Sequence, residues 1–262
     1  EIKAPQAHLR ATGKGIRIAV IDTKIDFSHP DLASRKEQSR NLVDRAGDEA
    51  SAEEHGTAIA GVIAADGSNG QGIVGVAPDA RLIGLRGCWH DQAEGGGRCN
   101  SFSLARALNL AILSEVDIVN MSLAGPFDPL ISDLIETALQ RGITLVAAEA
   151  TDAAASFPAS QEGVISVQIP SARSDADLVA PGTDIISTAL DGDFDFFSGS
   201  SVAAAHVTGV AALLLEERPG LWPEELRQAI RQFAGDGTAV EELDACSAVA
   251  AVTPSAERPT CQ

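Results

Sequence analysis

The feature that most constrains this chain is its alternation of short apolar, β-branched runs with segments of helical periodicity. In the first part of the chain the apolar runs are 16–21, 81–87, 117–123 and 143–148. The helical patterns that separate them are 57–65, 103–113 and 132–142. Continuous apolar strands that alternate with helices are typical of a parallel sheet covered on both faces. We therefore predict an α/β fold in three layers, a mostly parallel central sheet with helices on both sides.

The later part of the chain continues this pattern and contains no linker. A strand is predicted at 163–169, a helix starts near Ser201, and Pro223 opens a last helix at a first-turn position. We predict one domain over 1–262, in which 235–262 is a surface tail tied down by Cys246.

Charge and hydropathy exclude two classes of partner. The 19 basic and 37 acidic side chains give a net charge of −18, the wrong sign for binding phosphate backbones or anionic lipids. The longest apolar run, 202–215, holds His206 and Thr208 and is too short and too polar to span a bilayer. We expect neither nucleic acid nor membrane as a partner.

Four cysteines, Cys88, Cys99, Cys246 and Cys261, lack the spacing of a zinc site, and we predict no metal site built on them. Four cysteines allow three pairings. The nearest-neighbour pairing gives two local disulfides, Cys88 with Cys99 and Cys246 with Cys261, which we favour over four buried thiols. Disulfides imply an oxidising compartment, so we expect a secreted or periplasmic protein.

Three residues that are far apart in the sequence indicate a catalytic function only when they are considered together. Asp22 follows a buried strand, His55 opens a helical segment, and Ser201 lies at a predicted helix start. Alone, each has an ordinary structural explanation: a turn cap, a core histidine and a helix N-cap. As a set they supply the hydroxyl, the imidazole and the carboxylate that acyl transfer requires.

The segments around these residues resemble those of the subtilisin-like serine proteases. DTKID and HPDL resemble the Asp box, HGTAIAG the His box, and GSSVAAAH the Ser box. GIVGVAPDARL, DIVNMSLAG, SFPAS and DLVAPGTDI resemble the connecting segments, in the same order. The resemblance implies a serine endopeptidase in which Asp22 orients His55, His55 is general base and then acid, and Ser201 is the nucleophile. It requires no cofactor.

The oxyanion hole departs from the family pattern. Where the family reads A-A-A-G-N, this chain has Thr151 in place of the Asn whose side chain donates to the oxyanion. The Thr hydroxyl can also donate, but on a shorter, β-branched side chain. The expected oxyanion donors are therefore Thr151 and Ser201, and we expect a slow enzyme or one restricted in its substrates.

The family binds its peptide as an added strand between two backbone segments. By resemblance, these segments are Gly97, Arg98 and Cys99 on one side and Leu123, Ala124 and Gly125 on the other. Ala148, Ala150 and Ser156 are expected to line the primary pocket, where small residues fit an apolar or medium-sized side chain. Glu149 leaves a basic preference open if its carboxylate faces inward. A Cys88–Cys99 bond would brace one wall of this cleft.

Further expectations follow from the same resemblance. Many family members bind a structural calcium ion near H-P-D-L, and the oxygen ligands available here are Asp31, Asp66, Asn69 and Gln71. Peptides or proteins are the expected substrates, and a pro-segment outside this sequence is a further partner to consider. Two other functions remain open: a pseudoprotease that binds a partner, and a transpeptidase or cyclase that uses the same residues.

Overall fold

The computed structural model describes residues 2–44, 53–91, 96–150, 152, 155–170, 176–233, 243–254 and 259–261. The strands in these residues are β1 (Arg17–Asp22), β2 (Lys36–Asn41), β3 (Arg81–Arg86), β4 (Cys88–His90), β5 (Gly97–Cys99), β6 (Ile118–Met121), β7 (Thr144–Ala148), β8 (Ile165–Gln168), β9 (Leu178–Val179), β10 (Ile185–Thr188) and β11 (Phe194–Phe197). Seven of them form one sheet in the order β2-β3-β1-β6-β7-β8-β9, and every pairing in it is parallel. Two antiparallel hairpins, β4–β5 and β10–β11, lie outside this sheet.

The helices connect these strands. They are α1 (Ala4–Ala7), α2 (His55–Ala64), α3 (Ser101–Leu113), α4 (Pro129–Gln140), α5 (Ser200–Glu217), α6 (Pro223–Arg231) and α7 (Ala245–Val252). Local sequence explains several of their starts. Asn100 caps α3, its side chain accepting from the backbone N–H of Ser103, and Asp128 caps α4 before a first-turn Pro129.

Alternate residues of β1 show the three layers. Ile18 and Val20 face a core shared with α2, α5, α6 and α7, whereas Ala19 and Ile21 face a core shared with α3 and α4. A strand buried on both faces needs apolar residues at every position, which is why 16–21 lacks polar alternation. The predicted three-layer α/β fold is confirmed.

Helix α5 lies inside one of these cores and is buried around most of its circumference. All but one residue from Val202 to Leu215 is buried, the exception being His206. Its N-cap Gly199 has φ 148°, a conformation that side-chain-bearing residues rarely adopt. A Cβ on Gly209 would lie 2.4 Å from Cβ of Val76, so the glycine permits close packing of α5.

Helix α2 is fixed to β10 by side-chain hydrogen bonds. The hydroxyl of Ser187 donates to the carbonyl of Ala58 at 2.6 Å, and that of Thr188 donates to the carbonyl of Thr57 at 2.8 Å. A Cβ on Gly61 would come within 2.3 Å of the Thr188 hydroxyl. The helix that His55 begins is thus held against the rest of the fold from its first turns.

The prediction of a surface tail over 235–262 is wrong for residues 243–249. Leu243 and four residues of α7 are buried in the same core as α5. The backbone N–H of Ala245 donates to the carbonyl of Ile2 at 2.9 Å, which ties this segment to the start of the chain. Small residues give this segment no strong apolar pattern, but an alanine-rich helix can pack closely on its neighbours and so be buried. Residues 234–242, 255–258 and 262 lie outside the described residues.

No helix among the described residues is long and apolar enough to cross a membrane.

Candidate active site

Asp22 and His55 meet at the carboxyl edge of the central sheet. Asp22 is the last residue of β1 and is 3% exposed, and His55 is the first residue of α2. Nδ1 of His55 lies 2.8 Å from Oδ1 of Asp22, which also accepts from the backbone N–H of Thr23 at 2.6 Å. A carboxylate only accepts hydrogen bonds, so Nδ1 carries the proton and Nε2 of the neutral ring is left as a base.

The electrostatic environment strengthens that base. The negative charge of Asp22 raises the pKa of His55 above its ordinary value, partial withdrawal of the ring from water lowers it, and the hydrogen bond to Asp22 raises it further. The net shift is upward. The His55 side chain keeps 43% of its surface exposed, so Nε2 can receive a proton from a group in the cleft.

Ser201 lies in the first turn of α5, close to the end of β6. The Ser122 hydroxyl donates to the backbone carbonyl of Ser201 at 2.9 Å, and Ser122 lines the same cavity as Asp22 and His55. No hydrogen bond joins the Ser201 hydroxyl to His55 among the described residues. Catalytic hydrogen bonds are often long in the absence of substrate, so this distance does not exclude Ser201 as the nucleophile.

The cavity beside these residues holds about 850 Å³ and lies between the two predicted substrate-binding segments. One wall includes Gly97, Arg98 and Cys99 of β5, and the opposite wall includes Leu123, Ala124 and Gly125 beyond β6. The structure thus brings both segments to one cleft with Asp22 and His55.

The assignment of residues to the primary pocket stays a prediction. Ala148, Ala150 and Ser156 are not among the residues that line this cavity. Ala148 is buried at the end of β7, and the Ser156 hydroxyl lies 3.3 Å from the carbonyl of Ala150. Thr151, the expected oxyanion donor, lies outside the described residues.

Two disulfides hold the predicted pairs, Cys88 with Cys99 and Cys246 with Cys261. Cys88 and Cys99 face each other across the β4–β5 hairpin and both line the cavity. The second disulfide joins α7 to the end of the chain, and its Cys246 is fully buried. The two disulfides therefore differ in position: one is part of the cleft wall and the other is part of the core.

A buried ion pair at the cleft could not be identified from the sequence. Glu53 and Arg86 are 3% and 4% exposed and form a two-pronged contact. The Glu53 carboxylate also accepts from the backbone N–H of Lys24 at 2.9 Å. One carboxylate thus links the loop after Asp22, the end of β3 and the entry to α2. The acidic residue is visible in the sequence, but its partner is 33 positions away.

The residues expected to hold calcium do not fit the ion. Oδ1 of Asp31 accepts from the side-chain amide of Asn69 at 2.6 Å, and Oδ2 accepts from the backbone N–H of Ile73 at 2.9 Å. The Asn69 side-chain oxygen accepts from the backbone N–H of Gln71 at 3.0 Å. N–H groups thus point at the oxygens that a cation would need.

Asp66 is also engaged by donors. Burial raises its pKa, but hydrogen bonds from Ser34, Ser68 and Arg35 outweigh burial and hold the pKa well below its usual range. The guanidinium of Arg35 lies 2.7 Å from the carboxylate, where it supplies the positive charge. No group of three or more metal-ligating His, Cys, Asp or Glu side chains occurs within the described residues.

Comparison with known proteins agrees with this geometry. The family model described as "Subtilase family" matches residues 13–247. The major intracellular serine protease of Bacillus subtilis (strain 168) is 35% identical over 236 residues, covering 81% of this chain and 72% of that protein. Subtilisin E of the same organism is 32% identical over 252 residues, covering 89% of this chain and 64% of that protein.

Solved structures give the same result for the fold. A protease from Pseudoalteromonas arctica PAMC 21717 superposes with a TM-score of 0.85 at 24% identity, covering 96% of this chain and 94% of that chain. Fervidolysin from Fervidobacterium pennivorans, described as a keratinolytic enzyme related to subtilisin, superposes with a TM-score of 0.80 at 26% identity, covering 97% of this chain and 44% of that chain. The chain belongs to the subtilase family and is a serine endopeptidase that acts on peptides or proteins.

Proposed function

We propose that this enzyme hydrolyses peptide bonds through an acyl-enzyme on Ser201, with His55 and Asp22 completing the triad. The Ser201 hydroxyl attacks the scissile carbonyl while Nε2 of His55 takes its proton. Asp22 stabilises the imidazolium, which then gives the proton to the leaving amine as the C–N bond breaks. Water attacks the ester by the same route and releases the acid. The observation that supports these roles is the 2.8 Å contact between His55 Nδ1 and Asp22 Oδ1.

We propose slow turnover because of the oxyanion hole. The backbone N–H of Ser201 belongs to the first turn of α5, where amides have no partner inside the helix and can donate to developing negative charge. The second donor is Thr151, at the position where the family has Asn. Loss of one oxyanion donor lowers turnover by about 10²–10³, a figure from a subtilisin. A Thr hydroxyl that reaches the oxyanion through a backbone shift or a water recovers part of this loss.

The proposed substrate lies extended between β5 and the segment 123–125. An extended peptide gains affinity from main-chain hydrogen bonds to both sides and specificity from side-chain pockets. The 850 Å³ cavity between the two segments supports this placement.

We propose a secreted or periplasmic location on the strength of the two disulfides, because such bonds persist in oxidising compartments. The relatives include two proteins named as intracellular serine proteases, from Bacillus subtilis and Paenibacillus polymyxa. Free-thiol counting on the protein from its native host tests the proposal: oxidised cysteines support it, and four free thiols contradict it.

The test of the triad is the intact mass of the protein after hours of exposure to a fluorophosphonate. We expect a single adduct on the unaltered chain, because only an activated serine displaces fluoride at a useful rate. Ser201→Ala should form no adduct. His55→Ala provides a second variant, with the nucleophile present and its base removed, and it should react much more slowly.

Two results would contradict the proposal. An adduct that persists in Ser201→Ala would place the nucleophile elsewhere. A folded, unaltered chain that forms no adduct would show that the triad is not assembled, and the protein would then be tested for binding partners.

A further inference from the structure

A chain of three hydrogen bonds, two of them buried and the third part-buried, leads to the proposed nucleophilic residue. The Thr208 hydroxyl on α5 lies 2.8 Å from Oδ1 of Asn120 on β6. Nδ2 of Asn120 lies 2.9 Å from the Ser122 hydroxyl, which in turn lies 2.9 Å from the backbone carbonyl of Ser201. Asn120 and Thr208 are both fully buried. We call Thr208, Asn120, Ser122 and the Ser201 carbonyl the hydrogen-bond chain.

The direction of every bond in the hydrogen-bond chain is fixed by its last acceptor, the Ser201 carbonyl. A backbone carbonyl only accepts, so the Ser122 hydroxyl must donate its one proton to Ser201. Ser122 can then only accept from Asn120, which must present its NH₂ group to Ser122 and its oxygen to Thr208. Thr208 must donate to that oxygen. Each group has one orientation that satisfies its neighbours, and a flipped Asn120 amide would leave two acceptors facing each other.

We propose that Thr208, Asn120 and Ser122 are positioning residues, which hold the first turn of α5 against the substrate-binding segment 123–125 and so set the place of Ser201. Ser122 directly precedes that segment in sequence and bonds the carbonyl of the nucleophilic residue in space. The hydrogen-bond chain thus joins two parts of the site, the nucleophilic residue and the substrate-binding segment. The distance between them decides whether the Ser201 hydroxyl can reach the carbonyl of a bound peptide. This inference rests on the proposed role of Ser201.

Thr208 acts through the orientation of Asn120. Without its hydroxyl, Oδ1 of Asn120 is a buried acceptor without a donor, which is costly. Any movement of the Asn120 side chain that brings this oxygen toward another donor breaks the contact between Nδ2 and the Ser122 hydroxyl. The Ser122 hydroxyl is then free to rotate, and its hydrogen bond to the Ser201 carbonyl weakens. A substitution at Thr208 should therefore affect the nucleophilic residue three hydrogen bonds away.

Another buried threonine gives a matched control. Thr144 on β7 is 1% exposed, and its hydroxyl has no hydrogen-bond partner among the described residues. Thr208→Val and Thr144→Val make the same chemical change, hydroxyl to methyl, at two buried sites. Only the first lies in the hydrogen-bond chain. Thr208→Ser keeps the donor and is the rescuing variant.

The experiment measures the second-order rate constant of phosphonylation by a fluorophosphonate, counted per folded molecule and well below the unfolding temperature. We expect Thr208→Val and Ser122→Ala to lower it by about threefold to tenfold, the range that the loss of one hydrogen bond spans. Thr208→Ser and Thr144→Val should stay within about twofold of the unaltered chain, a difference of about 0.4 kcal/mol.

A second measurement does not depend on activity. Hydrogen–deuterium exchange of a peptide that contains 199–206 should be faster in Thr208→Val and Ser122→Ala than in Thr144→Val, all made in a Ser201→Ala background. Faster exchange in both variants supports the positioning role even if the unaltered chain does not react with the probe, an outcome that contradicts only the proposed function. Unchanged exchange and an unchanged reaction rate in Thr208→Val and Ser122→Ala would overturn the inference.

Discussion

Removing the two disulfides separately should give equal losses of stability but unequal losses of activity. Cys88 and Cys99 are 11 residues apart, and Cys246 and Cys261 are 15 apart. The chain-entropy relation gives about 3 kcal/mol for a loop of either length. Divided by the unfolding entropy of 262 residues, this loss of free energy lowers the midpoint of thermal unfolding by roughly 5 °C. Cys88→Ala/Cys99→Ala and Cys246→Ala/Cys261→Ala should therefore melt at similar temperatures.

Their kinetics should differ because only one disulfide lies in the cleft. Without the Cys88–Cys99 bond, β5 is held to β4 by a short ladder alone, and the wall that receives the peptide loosens. We expect KM to rise by about fivefold for each main-chain hydrogen bond that the peptide loses, from a net value of about 1 kcal/mol per bond. The Cys246–Cys261 variant should keep the KM of the unaltered enzyme.

The assay is steady-state hydrolysis of a fluorogenic peptide at a temperature where every variant is folded. Melting is measured in a Ser201→Ala background to prevent self-digestion. Equal KM values for the two double variants would refute the reasoning, since the cleft disulfide would then contribute only stability.

Three further predictions concern the site. Because Asp22 raises the pKa of His55, the imidazole stays protonated to a higher pH, and on acidification kcat/KM should fall to half at a pH above about 6.5. Asp22→Asn should move that midpoint to a lower pH. A midpoint at or below about 6.5 in the unaltered enzyme would contradict the upward shift of the pKa. Thr151→Asn should raise kcat by restoring a longer amide donor, measured against Thr151→Ser as control; equal kcat in both would show that Thr151 does not limit turnover. A chelator should leave the melting temperature unchanged, because the oxygens of Asp31 and Asp66 are occupied by N–H and O–H donors, and a fall of several degrees would show a bound cation.

Elements with a strong apolar pattern could be predicted from the sequence. The strands β1, β3, β6, β7 and β8 and the helices between them occur within a few residues of their predicted places. Strand β2 could not be predicted: its sequence KEQSRN is exposed or half-exposed throughout, so no alternation marks it. Pairing with β3 at the sheet edge determines it, and such pairing is not visible in local sequence.

Some residues of the site could likewise be predicted from the sequence, and others could not. Asp22, His55 and the two cleft segments could be assigned from motifs, because each motif is short and continuous. Glu53 and Arg86 are 33 positions apart in the sequence. In the hydrogen-bond chain, Ser122 and Ser201 are 79 positions apart and Asn120 and Thr208 are 88 apart. Only the fold brings these residues together. Asn120, Met121 and Ser122 match a glycosylation acceptor, but they lie in an apolar run that predicts burial, and Asn120 is completely buried.

The burial of α5 ties the lifetime of the active site to that of the whole protein. A segment opens by itself only when few buried contacts hold it, and α5 is surrounded by the core along most of its length. Fraying that spreads along this helix from its first turn, which carries Ser201, would therefore break buried contacts. Heat inactivation should follow global unfolding with the same rate constant, and molecules that keep their fold should also keep their reactive serine.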